Sequence, residues 1–441
     1  MEHRYDNLLK EIIGIVRNDY AGFDEKKERH DSRYYVNTAG TAWKQGILDE
    51  KRFLRIVSQY LASLGDPCLK FSMFDHDKYR NYDVGFRARR YGDYLYVTES
   101  RADERFRPGD QIERLNSMSP GDHQRKMAKN IFIGQTAERE QWNGLLKMVK
   151  HCTVEHLDGT KEDIELKHYP LQDDAAAPSF SIPKEGVCCI RVERFDADEA
   201  ALADLIAEHA ADLTTCEKLI IDVRKNAGGN EEGFLPLLPL VMDRPYRPVD
   251  LLDADPVISN YSEGNCSRRI QEFTSLKAQF DPQTDADTIA VLDDLIREFG
   301  EKSGKGWLAD SAPTAGQDSS IENTAAGDPA QLVQPYSNIR SVLVLTDTWC
   351  RDSGEAFVDI ARRSSKVRLF GRPTMGTIDY TNYVNLVLDN TFVLSYPMGK
   401  KARVNDGERY NETGLPVDIY RPFTPGECTQ DLLMERALTY I

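Results

Sequence analysis

The chain has 441 residues, 40 % of them hydrophobic and 29 % charged, a balance typical of a globular protein long enough for more than one core. A formal charge of −16 argues against a general nucleic-acid binder, which carries a basic surface. The opening MEHRYDNLLKEIIGIV lacks a secretory pattern, no run is long enough to span a bilayer, and the eight cysteines include no CxxC pair. The expectation is a cytoplasmic protein with reduced cysteines, unless a leader has been removed, and with no zinc or other metal site.

In chain order, residues 1–65 read as helices. Leu8, Leu9, Ile12, Ile13 and Val16 recur at helical spacing, and Phe53, Ile56, Val57, Tyr60 and Leu61 do so again. This predicts a helical cap over residues 1–80 rather than a site. A Gly-Asp-Pro turn at Gly65–Pro67 leads into alternating Leu69, Phe71 and Met73, the pattern of a strand. Tyr91-Gly92-Asp93-Tyr94 reads as a hairpin turn, and Arg107-Pro108-Gly109-Asp110 as a tight turn before Ile112 and Leu115, with Asn116 closing that strand. Closing strands are expected at Cys152–His156 and Ile164–His168, joined by the Leu157–Thr160 turn. The turn, its spacing and the preceding hairpin resemble a PDZ domain, here over residues 81–170. That resemblance implies strand-addition binding of extended peptides, with Val84-Gly85-Phe86 as the carboxylate-binding loop.

Beyond a loose linker at Gln172–Ser181 the pattern becomes α/β: a strand at Val187–Val192, a helix at Glu199–Leu213 and a second buried strand at Leu219–Val223. Asp222, Arg224 and Asn226 follow at alternate positions, then Gly228-Gly229, whose N–H groups can face an anion after a buried strand. Asp222 and Arg224 read more readily as an ion pair orienting the glycine loop than as catalytic groups. Residues 245–335 read as an insertion ending in a flexible excursion rich in Gly, Ser, Ala, Asp and Thr, although Asp285–Phe299 within it has a helical pattern. Lys302–Trp307 lacks the spacing of a P-loop.

The stretch SVLVLTDTWCRDSGEAFVDIARR, Ser341–Arg363, holds a buried strand, a polar turn and a helix that meet at Ser353. A serine lifted to a helix N-terminus beside unpaired N–H groups suits acyl transfer, where an oxyanion needs fixed donors. A plain helix cap at Asp352 or Ser353 explains the same residues without chemistry. Cys350, with no partner base in sequence, reads as packing. Val367–Phe370, a hairpin through Asp389-Asn390 and a terminal helix at Gln430–Ile441 complete the chain.

Four segments in order, DPCLKF, LIIDVRKNAGG, the Ser353 turn with GRPTMGTIDY, and ETGLPVDI, together with the PDZ-like stretch, resemble the carboxy-terminal-processing and tricorn-core family of serine peptidases. The resemblance covers about residues 60–420 and leaves out the helical start and the 245–335 excursion. It implies an α/β fold: a crotonase-like β/α spiral core over residues 171–441, with a PDZ-like domain and a helical N-terminal cap. It implies hydrolysis of peptides or protein tails, no cofactor, a peptide or unfolded tail as partner, and leaves room for an oligomer. Residue by residue it puts the nucleophile on Ser353 and the oxyanion donors on Gly354 and on Gly228 or Gly229. One branch of the family has a lysine where this chain has Thr377; the other has a histidine where Asp66-Pro67-Cys68 places Cys68, with a glutamate matched by Glu412. A thiol, with an ordinary pKa near about 8.5, is a poor substitute for an imidazole. The base is then His76, or water or Asp379, or the chain has lost hydrolysis and binds peptides only. Glu412 reads equally as a solvated loop carboxylate, and Gly228-Gly229 as an ordinary turn.

Overall fold

Apolar residues at three- and four-residue intervals become the buried stripes of three helices, Arg4–Asn18, Ser32–Lys44 and Glu50–Ser63. Asp31 and Asp49 cap the second and third, accepting from Arg33 N at 3.0 Å and Arg52 N at 2.8 Å. The computed structural model containing them describes residues 4–29, 31–74, 82–127, 137–171, 176–195, 199–252, 254–310 and 331–441. Its chain divides into two units, one built from Met1–Arg80, Asp255–Ala312 and Asp379–Arg409, the other from Asn81–Ala254, Pro313–Ile378 and Tyr410–Ile441.

In the first unit the helices cover a five-stranded sheet centred on Phe392–Lys401. One edge of that strand pairs with Lys70–Met73 and then Val257–Tyr261, the other with Tyr380–Leu388. Asp389 and Asn390 both have positive φ, 52° and 47°, at the centre of the turn that Thr391 N closes on Leu388 O at 3.1 Å. Phe53 and Phe71 pack on Phe392 with ring centroids 5.3 and 5.0 Å away. Part of the expected excursion is folded: Val257–Tyr261, the helices Glu263–Lys277 and Ala286–Lys302, and Gly306–Ala309, which pairs back on Val257–Tyr261. The remainder, residues 311–330, lies outside the described residues.

The second unit holds a six-stranded sheet in the order Ile419–Tyr420, Val367–Gly371, Ser341–Thr346, Lys218–Asp222, Val187–Arg191, Ser179–Lys184, parallel except at its last pair. Its strands are continuous apolar runs because both faces are covered. Leu219, Ile221, Val342 and Val344 pack on the face carrying the helix Ser353–Ala361; Ile220, Leu343 and Leu345 pack on the face carrying Leu432–Tyr440. The terminal helix starts at Leu432 rather than Gln430 because Asp431 caps it, accepting from Met434 N at 3.1 Å. The expected single helix from Glu199 is two, Glu199–Glu208 and Ala210–Thr215, broken at His209.

The same unit contains a five-stranded antiparallel sheet, Phe86–Tyr91, Tyr94–Ser100, Gln111–Leu115, His151–Glu155 and Lys161–Glu165, in chain order. Its last strand begins earlier than expected, because Asp158 closes a tight turn by accepting from Thr160 N at 2.9 Å. Arg89 of this sheet reaches the start of the Ser353 turn, where its guanidinium donates to both carboxylate oxygens of buried Asp347. Arg372 approaches the same carboxylate at 3.4 Å and also pairs with Glu427. Burial alone would push the Asp347 carboxyl up; the two guanidiniums outweigh it and hold it at about 2.

A carboxyl with a depressed folded pKa stabilises the fold fully above its unfolded pKa, about 4, and loses that contribution as pH falls through its folded value. The shift is worth about 2 kcal/mol, and Asp347→Asn, which also strands two buried guanidiniums, should cost about 3 kcal/mol at neutral pH. Urea unfolding from about pH 5 down to about pH 2.5 should show the gap between the variant and the wild type narrowing with acid. A gap independent of pH would contradict this assignment.

Candidate active site

Two loops leave the same end of adjacent parallel strands. Lys218–Asp222 lies beside Ser341–Thr346 in register, Asp222 opposite Leu345, so the glycine loop after one meets the serine turn after the other. Asn226 is fully buried between them. Its side-chain amide donates to Val192 O at 3.1 Å, its Oδ1 accepts from Gly228 N at 3.0 Å, and its carbonyl accepts from Arg351 N at 3.0 Å. The contact leaves no room for side chains: a Cβ on Gly354 would stand 2.6 Å from Asn226 Oδ1, and one on Gly228 2.7 Å from the Asp352 Cβ.

Ser353 is the first residue of its helix, and Asp352 before it has φ 51° and ψ −124°, a strained conformation for a residue with a side chain. Neither residue acts as a cap. Asp352 makes no side-chain cap bond, and the buried Ser353 Oγ has no hydrogen-bond partner among the described residues. Gly354 N donates to Arg351 O at 2.9 Å and Gly228 N is taken by Asn226, whereas the N–H groups of Gly229 and of Ser353 itself have no partner among the described residues. The serine turn therefore offers an unbonded hydroxyl and an unbonded N–H at a helix N-terminus, and the adjoining glycine loop offers the unbonded N–H of Gly229.

Behind it lies Glu355, fully buried. Its carboxylate accepts from Thr374 Oγ1, from Gly376 N at 2.6 Å, and from both the N and the Oγ1 of Thr377, the latter at 2.6 Å. Burial pushes this carboxyl up while those bonds pull it down, and burial wins. Thr377 occupies the position expected for a lysine, and its hydroxyl accepts from Asp352 N at 2.8 Å, joining the Glu355 cluster to the serine turn. Arg139, from the segment Ala137–Arg139, donates to the carbonyls of Met375 and Asn411 and so ties the Thr377 loop to the turn carrying Glu412. Glu412 is half-buried there. Burial lowers the Arg139 pKa to about 10, against the fields of Glu355 and Glu412.

The other expected residues sit in different settings. Asp222 and Arg224 form an ion pair, with Arg224 Nε at 2.8 Å from Asp222 Oδ1, and Arg224 extends to Asp431 at 2.6 Å. Asp379 and Cys68 belong to the first unit. Asp379 pairs with Arg403 at 3.2 Å, and Cys68 is buried with its N–H on Asp66 Oδ1 at 2.8 Å. Val84 and Phe86 are fully buried, and Gly85 N donates to Asp83 at 2.7 Å, so this loop builds its sheet's core. Cys350 is buried, as packing requires, and its thiol is pushed well up, first by burial and then by surrounding carboxylates. His76 lies outside the described residues. Sequence reasoning missed Glu355 and Arg139 and left Asn226 without a role. For Glu355 the signal was its place directly after Ser353-Gly354, and for Asn226 its place two residues before the glycine pair.

A family model for Peptidase family S41 matches residues 186–421. Among solved structures, the chain is similar to mature CPAF complexed with lactacystin, with TM-score 0.63, 12 % identity and coverage of 99 % of this chain and 97 % of that one. A second structure of mature CPAF gives 0.62, 12 %, 98 % and 95 %. The photosystem II D1 C-terminal processing protease gives 0.45, 13 %, 98 % and 99 %. At such identities the CPAF likeness is one of fold. No curated protein sequence matches the chain. Among the described residues, no helix is long and apolar enough to cross a membrane.

Replacing Glu355 by Gln turns an acceptor of four hydrogen bonds into a group with one acceptor oxygen and two donors of its own. Glu355→Gln should lose about 2 kcal/mol in urea unfolding, from unsatisfied N–H and hydroxyl groups. A variant as stable as the wild type would show that the carboxylate is already protonated and exchanging its bonds freely.

Proposed function

The chain belongs to peptidase family S41, and on that premise we propose that it is a serine peptidase in which Ser353 attacks the carbonyl of a peptide bond. The observation that carries this reading is the Ser353 hydroxyl, buried and without a partner at the head of a helix. Leaving a buried hydroxyl unbonded costs about 1–3 kcal/mol, a cost that an alanine would avoid. The N–H groups of Gly229 and Ser353 are free to receive the oxyanion, and that of Gly354 joins them if it leaves the Arg351 carbonyl. In this reading Gly228 shapes the hole and Asn226 holds the loop in place. Glu412 and the Cys68 position complete the catalytic set by resemblance, the substrate is a peptide or a protein tail, the antiparallel sheet is PDZ-like, and the remainder of the core is a crotonase-like spiral.

One observation favours a second reading, in which the chain binds peptides without cutting them. No base stands within hydrogen-bonding distance of Ser353 Oγ among the described residues. Four of the five described histidines have other ring partners: His123 on Leu115 O, His156 on Asp110, His168 on Lys147 O and His209 stacked on Phe180. The fifth, His151, is exposed. Catalytic hydrogen bonds often tighten only once substrate is bound, which leaves the first reading in front.

Intact mass after incubation with a fluorophosphonate separates the two. One adduct on the wild type, absent from Ser353→Ala, is expected for the peptidase, together with peptide hydrolysis that the substitution reduces to background. A folded protein that takes no adduct at high probe concentration would leave the binding reading.

A further inference from the structure

The turn between Ser341–Thr346 and the helix Ser353–Ala361 is strained at Asp352, and the strain is held from both sides. The Asp352 N–H donates to Thr377 Oγ1 at 2.8 Å, and its carbonyl accepts from Glu355 N at 2.9 Å and Ala356 N at 3.0 Å. An aspartate directly before a helix ordinarily caps it. With φ 51° and ψ −124° fixed, this one makes no cap bond. Its side chain lies against the glycine loop instead: a Cβ built on Gly228 would stand 3.1 Å from Asp352 Oδ2.

The carboxylate is exposed and lightly held. Among the described residues it accepts no hydrogen bond, and its one ion-pair neighbour is Arg351, whose Nε stands 4.0 Å from Oδ2. The Arg351 and Asp352 side chains are 41 % and 45 % exposed, so water screens that pair. The two open N–H groups of the corner flank the carboxylate along the chain, since Ser353 follows Asp352 and Gly229 follows Gly228. One donor on the residue after a strained strand-to-helix turn and one from a neighbouring loop is an arrangement that holds an oxyanion. A permanent negative charge beside those donors would oppose that oxyanion. The opposition disappears if the carboxylate takes up a proton as the oxyanion forms, because the two negative charges then never coexist.

We propose that Asp352 is the proton acceptor of this site. The inference rests on the reading of Ser353 as the nucleophile and supplies the base which that reading lacks. Ser353 Oγ makes no hydrogen bond to the carboxylate, so the proton passes by way of one water molecule. Oγ forms a bond to the peptide carbonyl carbon as its proton moves through that water to Asp352. The C–N bond then breaks, and Asp352 gives the proton to the departing amine. In the second half a water attacks the acyl carbon and gives one proton to Asp352. The C–Oγ bond breaks, and that proton restores the Ser353 hydroxyl. Each half ends with Asp352 ionised, and water is the one co-reactant.

The test uses the full chain and the rate of covalent labelling by an uncharged fluorophosphonate, followed by intact mass, with Ser353→Ala as control. An uncharged probe keeps the Asp352 charge from acting through attraction of the reagent. Asp352→Asn and Asp352→Gly should label about a hundredfold more slowly than the wild type, the share of rate that a positioned base supplies. Asp352→Gly should stay folded, since glycine adopts this backbone without strain. Formate, a carboxylate small enough for the space that glycine leaves, should raise the Asp352→Gly rate at least about tenfold. Chloride at the same ionic strength should not. Turnover of an uncharged p-nitrophenyl ester should fall and recover in step, which tests the second half. Labelling of both variants at the wild-type rate, or slowed labelling that formate does not restore, would overturn the proposal and leave the nucleophile standing. A folded wild type that takes no adduct removes the nucleophile and the base together.

Discussion

The parallel pairing of Lys218–Asp222 with Ser341–Thr346 is the constraint from which the site follows. Parallel strands bring their carboxyl ends to one edge, and the loops that follow must share the space there. In this chain the sharing is close enough that Gly228 faces Asp352 and Gly354 faces Asn226 with no allowance for a Cβ. The loops are therefore seated by steric exclusion before any charge is considered. Asn226 then locks them with hydrogen bonds to both sides.

A second layer of order comes from buried charge. Asp347 opens the serine turn and is held by arginines from two other parts of the unit, Arg89 in the antiparallel sheet and Arg372 beyond Val367–Gly371. Glu355, two residues after Ser353, is held by four donors from the Thr374–Thr377 loop. Both carboxylates are out of water, so any movement of their partners is expensive. Arg139 extends this frame to the Glu412 turn. The residues around the serine are thus fixed from several directions, while the serine itself is left unbonded.

Local features of this design are readable in the sequence. The strand, turn and helix around Ser353, the glycine pair after a buried strand and the Asp389-Asn390 hairpin each depend on neighbours within a few residues. What depends on distant partners is not readable. Glu355 looks like a first-turn helix acid until the loop 19 to 22 residues later folds over it. Arg139 looks like a surface charge, yet its partners lie 236 and 272 residues away. The stretch 257–309 reads in sequence as part of an excursion because its helices carry thin apolar stripes: Glu263–Lys277 buries only Asn265 and Cys266, and Ala286–Lys302 only Leu292. Helices on the outside of a unit give too weak a period to separate them from the polar residues that follow.

The contrast between the framework and the corner it supports bears on function. Asn226, Asp222 and Glu355 are buried polar groups with their bonding satisfied. Ser353 Oγ and the N–H groups of Ser353 and Gly229 are not, and Asp352 adds strain of about 1–3 kcal/mol. Loop packing alone requires none of this, since a glycine at 352 and an alanine at 353 would relieve both the strain and the unbonded hydroxyl. That Asn226, Asp222 and Glu355 are fully bonded while a hydroxyl and an N–H at a helix N-terminus are left open is what supports the proposed binding at this corner, where the helix end favours a group that is or becomes negative.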